Sequence, residues 1–459
     1  MAGVWLGKLT IGFSRLVGWG GSTLPGRLAR RLEPELLRQL GRQVRRGNLI
    51  VTGTNGKTTT SRIIAQILDQ AGLAAVHNRA GANLLPGLTA AYLEAAGWNG
   101  RVARDIGLLE VDEASVPRAV AELNPTAVVV TNFFRDQLDR YGELDHTVNF
   151  VRRGLEHVRP GARAVLNADD PRVAHLASAA RGRVVFFGIE DETCGVPQPS
   201  GTSDARNCVS CGEPYRYSVY FYAHLGKYRC PRCGHARPRP EVALRRLEPL
   251  GVGGTRLSIA TARGEIQATI KLPGLYNAHN ALAAAAAAYA LGIEPAVIAS
   301  GLESFSASFG RMETIAIRGV EVFLALVKNP AGFDEVLRTL LATPERKNLL
   351  IAINDNYADG TDVSWLWDVN FEWLAERQES FNFMLCSGIR AEDMAVRLKY
   401  AGVDPARIAI EKNLKRALLS AVGRVAPGEM LYLLPTYTAM LEMRRTIARL
   451  GYARHFWEV

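Results

Sequence analysis

Thr52-Gly53-Thr54-Asn55-Gly56-Lys57-Thr58-Thr59 is the stretch of sequence that decides the predicted fold. It follows the apolar run 49–51 and precedes a helical pattern over 61–68. A strand, a glycine-rich turn and a helix in this order are the setting of a phosphate-binding loop, in which backbone N–H groups and the helix N-terminus point at a polyphosphate. Two residues separate the two glycines, whereas the consensus loop has four between them, so this is a shortened variant. The alternative is an ordinary glycine turn before a helix.

Lys57 and Thr58 have the most specific chemistry in this loop. A lysine directly after the second glycine reaches the β- and γ-phosphates of a nucleotide, and the hydroxyl that follows holds Mg²⁺. We therefore predict an ATP site here. The predicted nucleotide contacts are Gly53, Thr54, Asn55, Gly56, Lys57, Thr58 and Thr59.

From residue 48 to about 190, short apolar strands alternate with helical patterns. This alternation predicts a mostly parallel α/β sheet with helices on both faces, whose ligands bind beyond the carboxyl ends of the strands. The predicted strands are 49–52, 106–111, 127–131, 163–167 and 184–187.

Glu110 and Asp112 stand at one of these carboxyl ends. They lie two residues apart, so they share one face of the strand. A carboxylate beside a triphosphate is commonly a Mg²⁺ ligand, and we assign that role to Glu110. The alternative is that both residues are solvated charges at the end of a strand.

Two cysteine pairs interrupt the alternation between residues 190 and 245. Cys208-x-x-Cys211 and Cys230-x-x-Cys233 are separated by 18 residues, which is the spacing of a four-cysteine zinc ribbon. Four thiolates close a tetrahedral site and leave no open position, so the predicted zinc is structural. The aromatic residues between the pairs suit a small β-hairpin, and we place the insert at about 194–242.

A second alternating region begins near residue 314, after a predicted linker at 304–312, and indicates a smaller α/β domain. Its predicted elements include helices at 364–375 and 391–400 and strands at 381–387 and 408–410. The predicted domains are a helical segment at 1–47 with a basic helix at about 28–44, a nucleotide-binding domain at 48–305 that carries the cysteine insert, and a C-terminal domain at 306–459.

Two further groups of polar residues are candidates for function. Asn277 and Asn280 lie three residues apart at the start of an alanine-rich helix, where both can face one ligand. Asp355, Asp359 and Asp362 share a loop directly after a predicted strand. Three carboxylates in one loop can form a metal loop, a turn, or a docking and catalytic surface.

Composition limits the class of partner and the compartment. The 459-residue chain has 55 Lys and Arg against 45 Asp and Glu, a formal net charge of +10, which suits nucleotides, pyrophosphate-linked substrates, anionic membranes or nucleic acid. Paired C-x-x-C motifs favour metal in a reducing compartment, and no apolar run approaches the roughly 20 residues of a transmembrane helix. Apolar residues within 4–17 are broken by Lys8 and Arg15, unlike a secretory signal. They predict an amphipathic helix on a membrane or, as we favour, on the protein's own core.

In combination, these motifs resemble the Mur ligase family of ATP-dependent amide-bond ligases, to which folylpolyglutamate synthase also belongs. The resemblance covers about residues 46–459 and implies a central P-loop ATPase domain of Mur ligase type with an inserted zinc ribbon, followed by a smaller Rossmann-like α/β domain. It rests on the phosphate-binding loop, Glu110, the segment from Thr131-Asn132 to Asp139, Asn167-Ala168-Asp169-Asp170-Pro171, the helix start at Asn277 and Asn280, and Gly310-Arg311-Met312-Glu313.

The resemblance also implies roles for individual residues. It places Lys57, Thr58 and Glu110 at ATP and Mg²⁺, and it places Asn167 and Asp170 near the adenosine. Asn280 is implied to lie near the nucleotide.

The chain departs from the family pattern at two points. Asp136-Gln137 stands where many members have Asp-His, so a histidine contact to metal is missing. No lysine occurs between Lys57 and Lys227. A carbamylated lysine, which several members use to hold a second Mg²⁺, therefore cannot sit at its usual place.

Within the family, the chain is most similar to the members that amidate lipid II, a precursor of peptidoglycan. The shared features are the ribbon, the absence of an N-terminal UDP-binding domain, and the stretch from Asp355 to Trp365. The reaction implied converts the α-carboxylate of the D-glutamyl residue to D-isoglutamine through an acyl phosphate that ammonia attacks. The expected setting is cytoplasmic, peripheral at the inner face of the membrane.

The source of ammonia is implied to be a partner. The chain shows no recognisable ammonia-producing nucleophile, so the resemblance implies a GatD-like glutaminase, in a heterodimer or a larger complex. In such complexes an aspartate of the ligase subunit completes the Cys-His pair of the glutaminase. Asp355 is the candidate, with Asp359 and Asp362 behind it; the alternative is that Asp355 only caps its loop.

Two other functions account for fewer of these features. A ligase that adds an amino acid, as folylpolyglutamate synthases do, would lack the ribbon, and a ligase of UDP-linked substrates would need a larger N-terminal domain than 1–47. A zinc-ribbon ATPase acting on nucleic acid would use the basic charge as its footprint. Its ATP hydrolysis would rise with nucleic acid and fall steeply with salt.

Overall fold

The structure is a computed structural model that describes residues 1–16, 23–78, 82–135, 144–198, 205–306, 311–342 and 345–452. Asp136-Gln137, Asp139 and Gly310, which entered the sequence argument, lie outside these ranges. Within them the chain forms a larger and a smaller α/β unit and one cysteine-rich insert.

The larger unit is built on nine strands. The strands and the insert's hairpin are β1 Asn48–Thr52, β2 Ala75–His77, β3 Ile106–Glu110, β4 Ala127–Val130, β5 Arg163–Asn167, β6 Arg183–Ile189, β7 Arg216–Tyr222, β8 Leu225–Arg229, β9 Val242–Pro249, β10 Thr255–Thr261 and β11 Gly264–Ile270. The sheet order is β11-β10-β9-β6-β5-β4-β1-β3-β2. The strands from β9 to β2 in this order are parallel, and β10 and β11 extend the sheet as antiparallel strands. β7 and β8 form a separate two-stranded ribbon.

Helices cover both faces of this sheet, as the alternation predicted. They are α1 Ala2–Leu16, α2 Leu24–Leu32, α3 Leu36–Gly41, α4 Lys57–Gln70, α5 Leu85–Ala95, α6 Val116–Leu123, α7 Leu144–Leu155, α8 Pro171–His175, α9 Leu275–Ala290 and α10 Pro295–Ser304. One face packs on α4, α9 and α10, and the other on α3 and α5 to α8 with α1 and α2 outside them. Because both faces are covered, β1, β3 and β4 are buried at every residue and read as continuous apolar runs.

The smaller unit has a six-stranded sheet. Its strands are β12 Arg311–Ile317, β13 Val320–Ala325, β14 Lys347–Ala352, β15 Phe381–Ser387, β16 Ile408–Ile410 and β17 Met430–Pro435, and its helices are α11 Pro330–Leu341, α12 Glu372–Glu376, α13 Ala391–Tyr400, α14 Leu414–Arg424 and α15 Tyr437–Arg449. The order is β12-β13-β17-β14-β15-β16. β12 and β13 are antiparallel, and the remaining pairs are parallel.

Three local predictions were wrong. The basic helix expected at 28–44 is two helices, because Pro34 disfavours helical geometry at Glu33. The helix expected at 364–375 is a 3₁₀ turn, Ser364–Asp368, followed by the short α12, since the backbone between them is extended at Val369. The linker expected at 304–312 ends in a strand, because β12 begins at Arg311 and pairs with β13.

Candidate active site

The glycine-rich loop between β1 and α4 has a backbone that only glycine fits. Gly53 has φ +122° and Gly56 has φ +83°. A Cβ atom on Gly53 would lie 2.4 Å from Thr131 Oγ1, and one on Gly56 would lie 2.0 Å from Asn280 Oδ1. The loop is therefore a close-fitting cradle, and Asn280, predicted near the nucleotide, lies directly against it.

The carboxyl end of β4 holds this loop in place. Asn132 Oδ1 accepts a hydrogen bond from the Asn55 backbone N–H at 2.9 Å. Thr131 Oγ1 donates to the Asn55 carbonyl at 2.8 Å, and the Thr54 N–H donates to the Asn132 carbonyl at 2.8 Å. These bonds fix the loop before a ligand binds, which lowers the entropy lost on binding.

Lys57 forms a buried ion pair that the sequence did not indicate. Its Nζ lies 2.8 Å from Glu113 Oε1, and both side chains are largely buried. Nζ also donates to the Gly53 carbonyl at 2.5 Å. Burial alone would lower the pKa of Lys57, but the carboxylates of Glu113, Glu110 and Asp112 outweigh it and raise the pKa. The phosphate-binding loop thus carries a lysine that its neighbours keep protonated.

The two predicted Mg²⁺ ligands are in contact. Thr58 Oγ1 donates to Glu110 Oε2 at 2.7 Å. Asn78 fixes the backbone of Glu110, accepting from its N–H at 2.9 Å and donating to its carbonyl at 2.8 Å. Asp112 is used differently, since its side chain accepts from the Ala114 N–H and caps the 3₁₀ turn Glu113–Ser115. The two carboxylates therefore have different roles: Glu110 contacts Thr58 of the loop, whereas Asp112 caps the turn that follows.

Asn167 and Asp170, predicted near the adenosine, lie buried at the end of β5. Asn167 Nδ2 donates to the Thr131 carbonyl at 2.8 Å. Asp170 accepts from the Phe133 N–H at 2.8 Å and, as the N-cap of α8, from the N–H groups of Arg172 and Val173. Both side chains therefore organise the backbone around the loop, and their contact with adenosine stays a prediction.

The tip of the β7–β8 hairpin reaches this end of the sheet. His224, at the tip, is fully buried, and its Nε2 lies 3.4 Å from Asp170 Oδ2. Its ring centroid lies 4.8 Å from that of Phe134. The Tyr222 ring lies 5.2 Å from the ring of His279 on α9. The sequence predicted a hairpin with a structural zinc but not this contact, for which the one local signal was a histidine between the cysteine pairs.

Asp169 ties the insert to α9. Its carboxylate accepts from Arg237 Nε and contacts His279 Nε2, each at 2.7 Å, and it accepts from the Ile189 N–H at 2.9 Å. Burial alone would raise the pKa of Asp169, but Arg237 and His279 outweigh it and lower the pKa. The carboxylate is thus held ionised as a buried link between three elements.

The four cysteines of the insert meet at one point. The sulfurs of Cys208, Cys211, Cys230 and Cys233 all lie within 4.8 Å of one another. Each pair forms the same knuckle: the glycine that follows has φ +77°, and a backbone N–H donates to the first sulfur at 3.4 Å. Four converging soft ligands with these N–H···S bonds are the donor set that zinc prefers.

The structure gives the three aspartates of the C-terminal loop different surroundings. Asp359 is buried and accepts from the N–H and hydroxyl of Thr438 at 2.8 and 2.5 Å. Asp362 accepts from the Ser364 N–H at 2.8 Å, directly before the 3₁₀ turn Ser364–Asp368. Asp355 lies near the surface, with its Oδ2 2.8 Å from Arg390 Nε. In these bonds, Asp359 and Asp362 accept from backbone N–H groups, whereas Asp355 is bound by the side chain of Arg390. Tyr357, two residues after Asp355, is exposed.

The smaller unit contacts the glycine-rich loop directly. Asn329 Nδ2 donates to Asn55 Oδ1 at 3.0 Å, and Asn55 Nδ2 lies 3.4 Å from Asn329 Oδ1. Asn329 Oδ1 also accepts from the Gly332 N–H at 2.9 Å and caps α11. The site is consequently bounded on one side by the larger unit and on the other by the N-terminus of α11.

Comparison with known proteins gives two family matches. The Mur ligase middle domain matches residues 51–208, and the MurT ligase C-terminal domain matches residues 326–440.

Two curated proteins are similar over nearly the whole chain. The lipid II isoglutaminyl synthase (glutamine-hydrolyzing) subunit MurT of Staphylococcus aureus (strain COL) is 33% identical over 444 residues, 97% of this chain and 97% of that protein. The same subunit of Streptococcus pneumoniae (strain ATCC BAA-255 / R6) is 34% identical over 428 residues, 93% of this chain and 92% of that protein.

Among solved structures, a pseudomurein peptide ligase type C from Methanothermus fervidus superposes with a TM-score of 0.67 and 23% identity, over 90% of this chain and 80% of that chain. At this identity the superposition shows a shared fold.

Proposed function

Because the chain belongs to the MurT branch of the Mur ligase family, we propose that it is the ligase subunit of a lipid II isoglutaminyl synthase. It converts the α-carboxylate of the D-glutamyl residue of lipid II to D-isoglutamine at the expense of ATP. The observation that carries the proposal is the similarity to two MurT subunits over 97% and 93% of the chain. The glycine cradle with Lys57, Thr58 and Glu110 beside it supports the ATP-dependent half of this reaction.

The residues of the cradle fit a nucleotide and Mg²⁺. The backbone N–H groups of the loop and the N-terminus of α4 receive the polyphosphate. Lys57 leaves its ion pair with Glu113 and pairs with the transferring phosphate. Thr58 and Glu110 would hold Mg²⁺, and the ion would offset the charge that develops on phosphate oxygens.

The reaction has two steps. A carboxylate oxygen of the substrate attacks the γ-phosphorus of ATP, the bond to ADP breaks, and an acyl phosphate forms. The ammonia nitrogen then attacks the acyl carbon, the carbon–oxygen bond to phosphate breaks, and amide, phosphate and a proton are released. Lys57 lowers both barriers by holding a positive charge beside the phosphoryl oxygens.

The four cysteines fit a structural zinc ion. Cys208, Cys211, Cys230 and Cys233 supply all the ligands of a tetrahedral site, so zinc has no position left for substrate. Its role is to hold the two knuckles together, and through them the hairpin whose tip packs beside Asp170.

Ammonia comes from a GatD-like glutaminase in this proposal. The two MurT relatives are named as subunits, which supports a complex. Asp355 supplies the carboxylate that orients the partner's histidine. Its place near the surface, with exposed Tyr357 and Ile389 close in the loops around it, supports this role.

The experiment supplies the purified chain with ATP, Mg²⁺ and lipid II in detergent. One arm adds ammonium, and the other adds glutamine with the candidate glutaminase. Mass spectrometry then detects conversion of the carboxylate to the amide. Amidation with ammonium alone supports the ligase role. Consumption of an amino acid in place of ammonia, or ATP hydrolysis that depends on nucleic acid, would replace the proposal with the matching alternative.

Asp355→Asn tests the shared triad. We expect it to reduce glutamine-dependent amidation by about 10²-fold or more, because the amide cannot orient and stabilise the partner's imidazolium. Ammonium-dependent amidation stays within about twofold of wild type, since in this proposal Asp355 acts only through the partner. Asp362→Asn in the same loop is the matched control. Equal loss in both arms for Asp355→Asn would contradict the proposed role.

A further inference from the structure

Two glycines bring α1 unusually close to the protein. The buried residues of α1 are Gly3, Val4, Gly7 and Ser14, and a Cβ atom on Gly7 would lie 2.5 Å from a methyl group of Leu93. Surface helices normally bury most of their large apolar residues. Here Val4 is buried and Ile11 packs against the core, whereas the largest apolar side chains of α1 lie on the other side.

Those large side chains are exposed to solvent. Trp5 is 53% exposed, and Leu9 and Phe13 are each 63% exposed. Together with Met1 they repeat every four residues, so they lie along one side of the helix. Gly12 lies on the same side, with nothing near its Cβ position. We call Met1, Trp5, Leu9 and Phe13 the α1 stripe.

The α1 stripe continues onto a neighbouring loop. Trp98 is 59% exposed, and its carbonyl accepts from Trp5 Nε1 at 3.0 Å. Lys8 Nζ lies 5.7 Å from the centroid of the Trp98 ring. Single exposed apolar residues are ordinary, but a contiguous apolar patch of this kind marks an interaction surface. Tryptophan with a lysine at its edge is typical of the boundary between water and lipid.

The length of α1 decides how it can meet a bilayer. Its 15 residues span about 22 Å, less than the ~30 Å hydrocarbon core. In the described part of the chain, no helix has both the length and the apolar character needed to cross a membrane. A short helix with one apolar side lies in the plane of the interface.

A cationic cleft opens on the same side of the central sheet. The cleft, of about 760 Å³, lies between the hairpin and β9 and includes Arg216, Arg229, Arg239 and Arg245. All four are exposed, and none has a carboxylate partner among the described residues.

The strand register shows which face this cleft occupies. The side chains of Val242 and Leu244 belong to the core under α4 and α9. Because residues alternate along a strand, Arg245 lies on the opposite face, the face that α1, α2, α3 and α5 cover. The α1 stripe and the unpaired arginines thus lie on the same face of the central sheet, α1 at its β2 end and the cleft beside β9. Anionic lipid complements both.

We propose that this side docks on the surface of an anionic lipid bilayer, with the α1 stripe inserted at the interface and the arginines of the cleft attracted to lipid phosphates. The inference deepens the proposed function and rests on it for its purpose, because a lipid-linked substrate is reached from the membrane surface. Helix α1 then contacts both surfaces considered from the sequence: the side with Gly3, Val4 and Gly7 packs on the protein, and the α1 stripe packs on lipid.

Vesicle sedimentation tests the proposal with the full chain. Vesicles of phosphatidylcholine with phosphatidylglycerol are compared with vesicles of phosphatidylcholine alone. We expect binding to the anionic vesicles to fall by about tenfold or more in Trp5→Ser/Leu9→Ser/Phe13→Ser. The matched control, Leu250→Ser/Val396→Ser/Ile410→Ser, removes three exposed apolar side chains elsewhere and stays within about twofold of wild type. Arg239→Gln/Arg245→Gln lowers the preference for anionic vesicles.

A second readout separates this inference from the proposed function. All three variants should amidate lipid II in detergent micelles at wild-type rates, because micelles deliver the substrate without a bilayer. Vesicle binding without amidation in micelles would overturn the proposed function but leave the docking surface intact. Amidation without vesicle binding, or vesicle binding unchanged in the α1 variant, would overturn the docking surface. The wild-type chain could instead dimerise in a concentration-dependent way and not bind vesicles. If the α1 variant abolished that dimerisation, the stripe would be assigned to contact with a second copy of the chain.

Discussion

Thr58 Oγ1 donates a hydrogen bond to Glu110 at 2.7 Å. A substitution that keeps this hydrogen bond can remove the charge of Glu110 with little movement of the loop. Glu110→Gln keeps the size of the side chain and an acceptor for Thr58, but it removes the negative charge. We expect the Mg²⁺ concentration for half-maximal activity to rise by at least about tenfold. The measurement is a Mg²⁺ titration of ammonium-dependent amidation. Asp112→Asn, which alters a cap two residues away, should shift that midpoint by less than about threefold. A larger shift for Asp112→Asn than for Glu110→Gln would show that Asp112, and not Glu110, holds the metal.

Single residues were predictable from the sequence where local spacing defines their role. Lys57, Thr58 and the four cysteines follow fixed spacings, so their positions could be predicted. Glu113 and His224 could not, because the ion pair with Lys57 and the contact with Asp170 join residues far apart in the chain. No local pattern distinguishes Glu113 from Asp112 beside it. The path of the chain after β3 decides that Glu113 pairs with Lys57 and that Asp112 caps the turn.

At the scale of elements, the cysteine knuckles support the hairpin that packs beside Asp170. Cys230→Ser removes one zinc ligand, so we expect the zinc content to fall from about one ion per chain towards none. The melting temperature should fall with it, and the Michaelis constant for ATP should rise because the hairpin tip loses its support. Elemental analysis, thermal unfolding and ATP titration measure the three effects. Cys194→Ser, outside the cluster, is the control. Full ATP affinity in a zinc-free variant would show that the tip does not depend on the metal.

Helix α11 carries a carboxyl group whose titration affects stability. Burial raises the pKa of Glu335 from its ordinary 4.5 to about 7, and Arg338 lowers it only in part. Between these values the folded protein binds a proton that the unfolded chain releases, so the free energy of unfolding decreases as the pH rises. This contribution is complete below 4.5 and is lost above 7.

Glu335→Gln removes this titration. At about pH 8 we expect the variant to be more stable than wild type by about 1–3 kcal/mol, and near pH 4.5 the difference should largely disappear. Urea denaturation at both pH values gives the comparison. Glu303→Gln, an exposed change on α10, should leave stability unchanged at either pH. A variant less stable than wild type at high pH would mean that the ion pair with Arg338 outweighs the cost of burying the charge.

Elements were predicted well where one periodicity continued without interruption. β15, α13 and β16 have the bounds that the apolar pattern predicted. β9 was missed because the cysteine insert separates it from β6, its neighbour in the sheet. β12 was missed because it is an edge strand whose partner is the next strand in the chain, so polar residues are tolerated there and the segment resembles a linker.

At the scale of the whole molecule, one side-chain pair joins the two units at the site. Asn329→Ser removes the bonds to Asn55 but keeps an oxygen that can cap α11. We expect turnover with ammonium to fall about tenfold, because the smaller unit is no longer held in position against the loop that binds the phosphates. The free energy of unfolding should change by less than about 1 kcal/mol. Steady-state kinetics and urea denaturation measure the two quantities. Wild-type turnover in Asn329→Ser would show that the reaction does not use this contact.

The two units also share a core. One buried cluster includes the sheet of the larger unit, the hairpin residues Phe221 and Tyr222, and Phe333 and Leu337 on α11. The bond from Arg338 to the Phe221 carbonyl at 3.0 Å lies at this junction. The division into two α/β units could be predicted from the sequence, but the continuity of their core could not, since it depends on where the hairpin points.

This shared core has a consequence during synthesis on the ribosome. The knuckles and the hairpin emerge before β9, and zinc captured at that stage shortens the loop that must close when β9 joins β6. Phe221 and Tyr222 can be buried only after α9 and α11, which pack against them in the folded protein, have been translated. The nascent chain therefore exposes an aromatic tip from the translation of Tyr222 until that of Leu341, and exposed apolar surface of this kind favours aggregation unless a chaperone covers it.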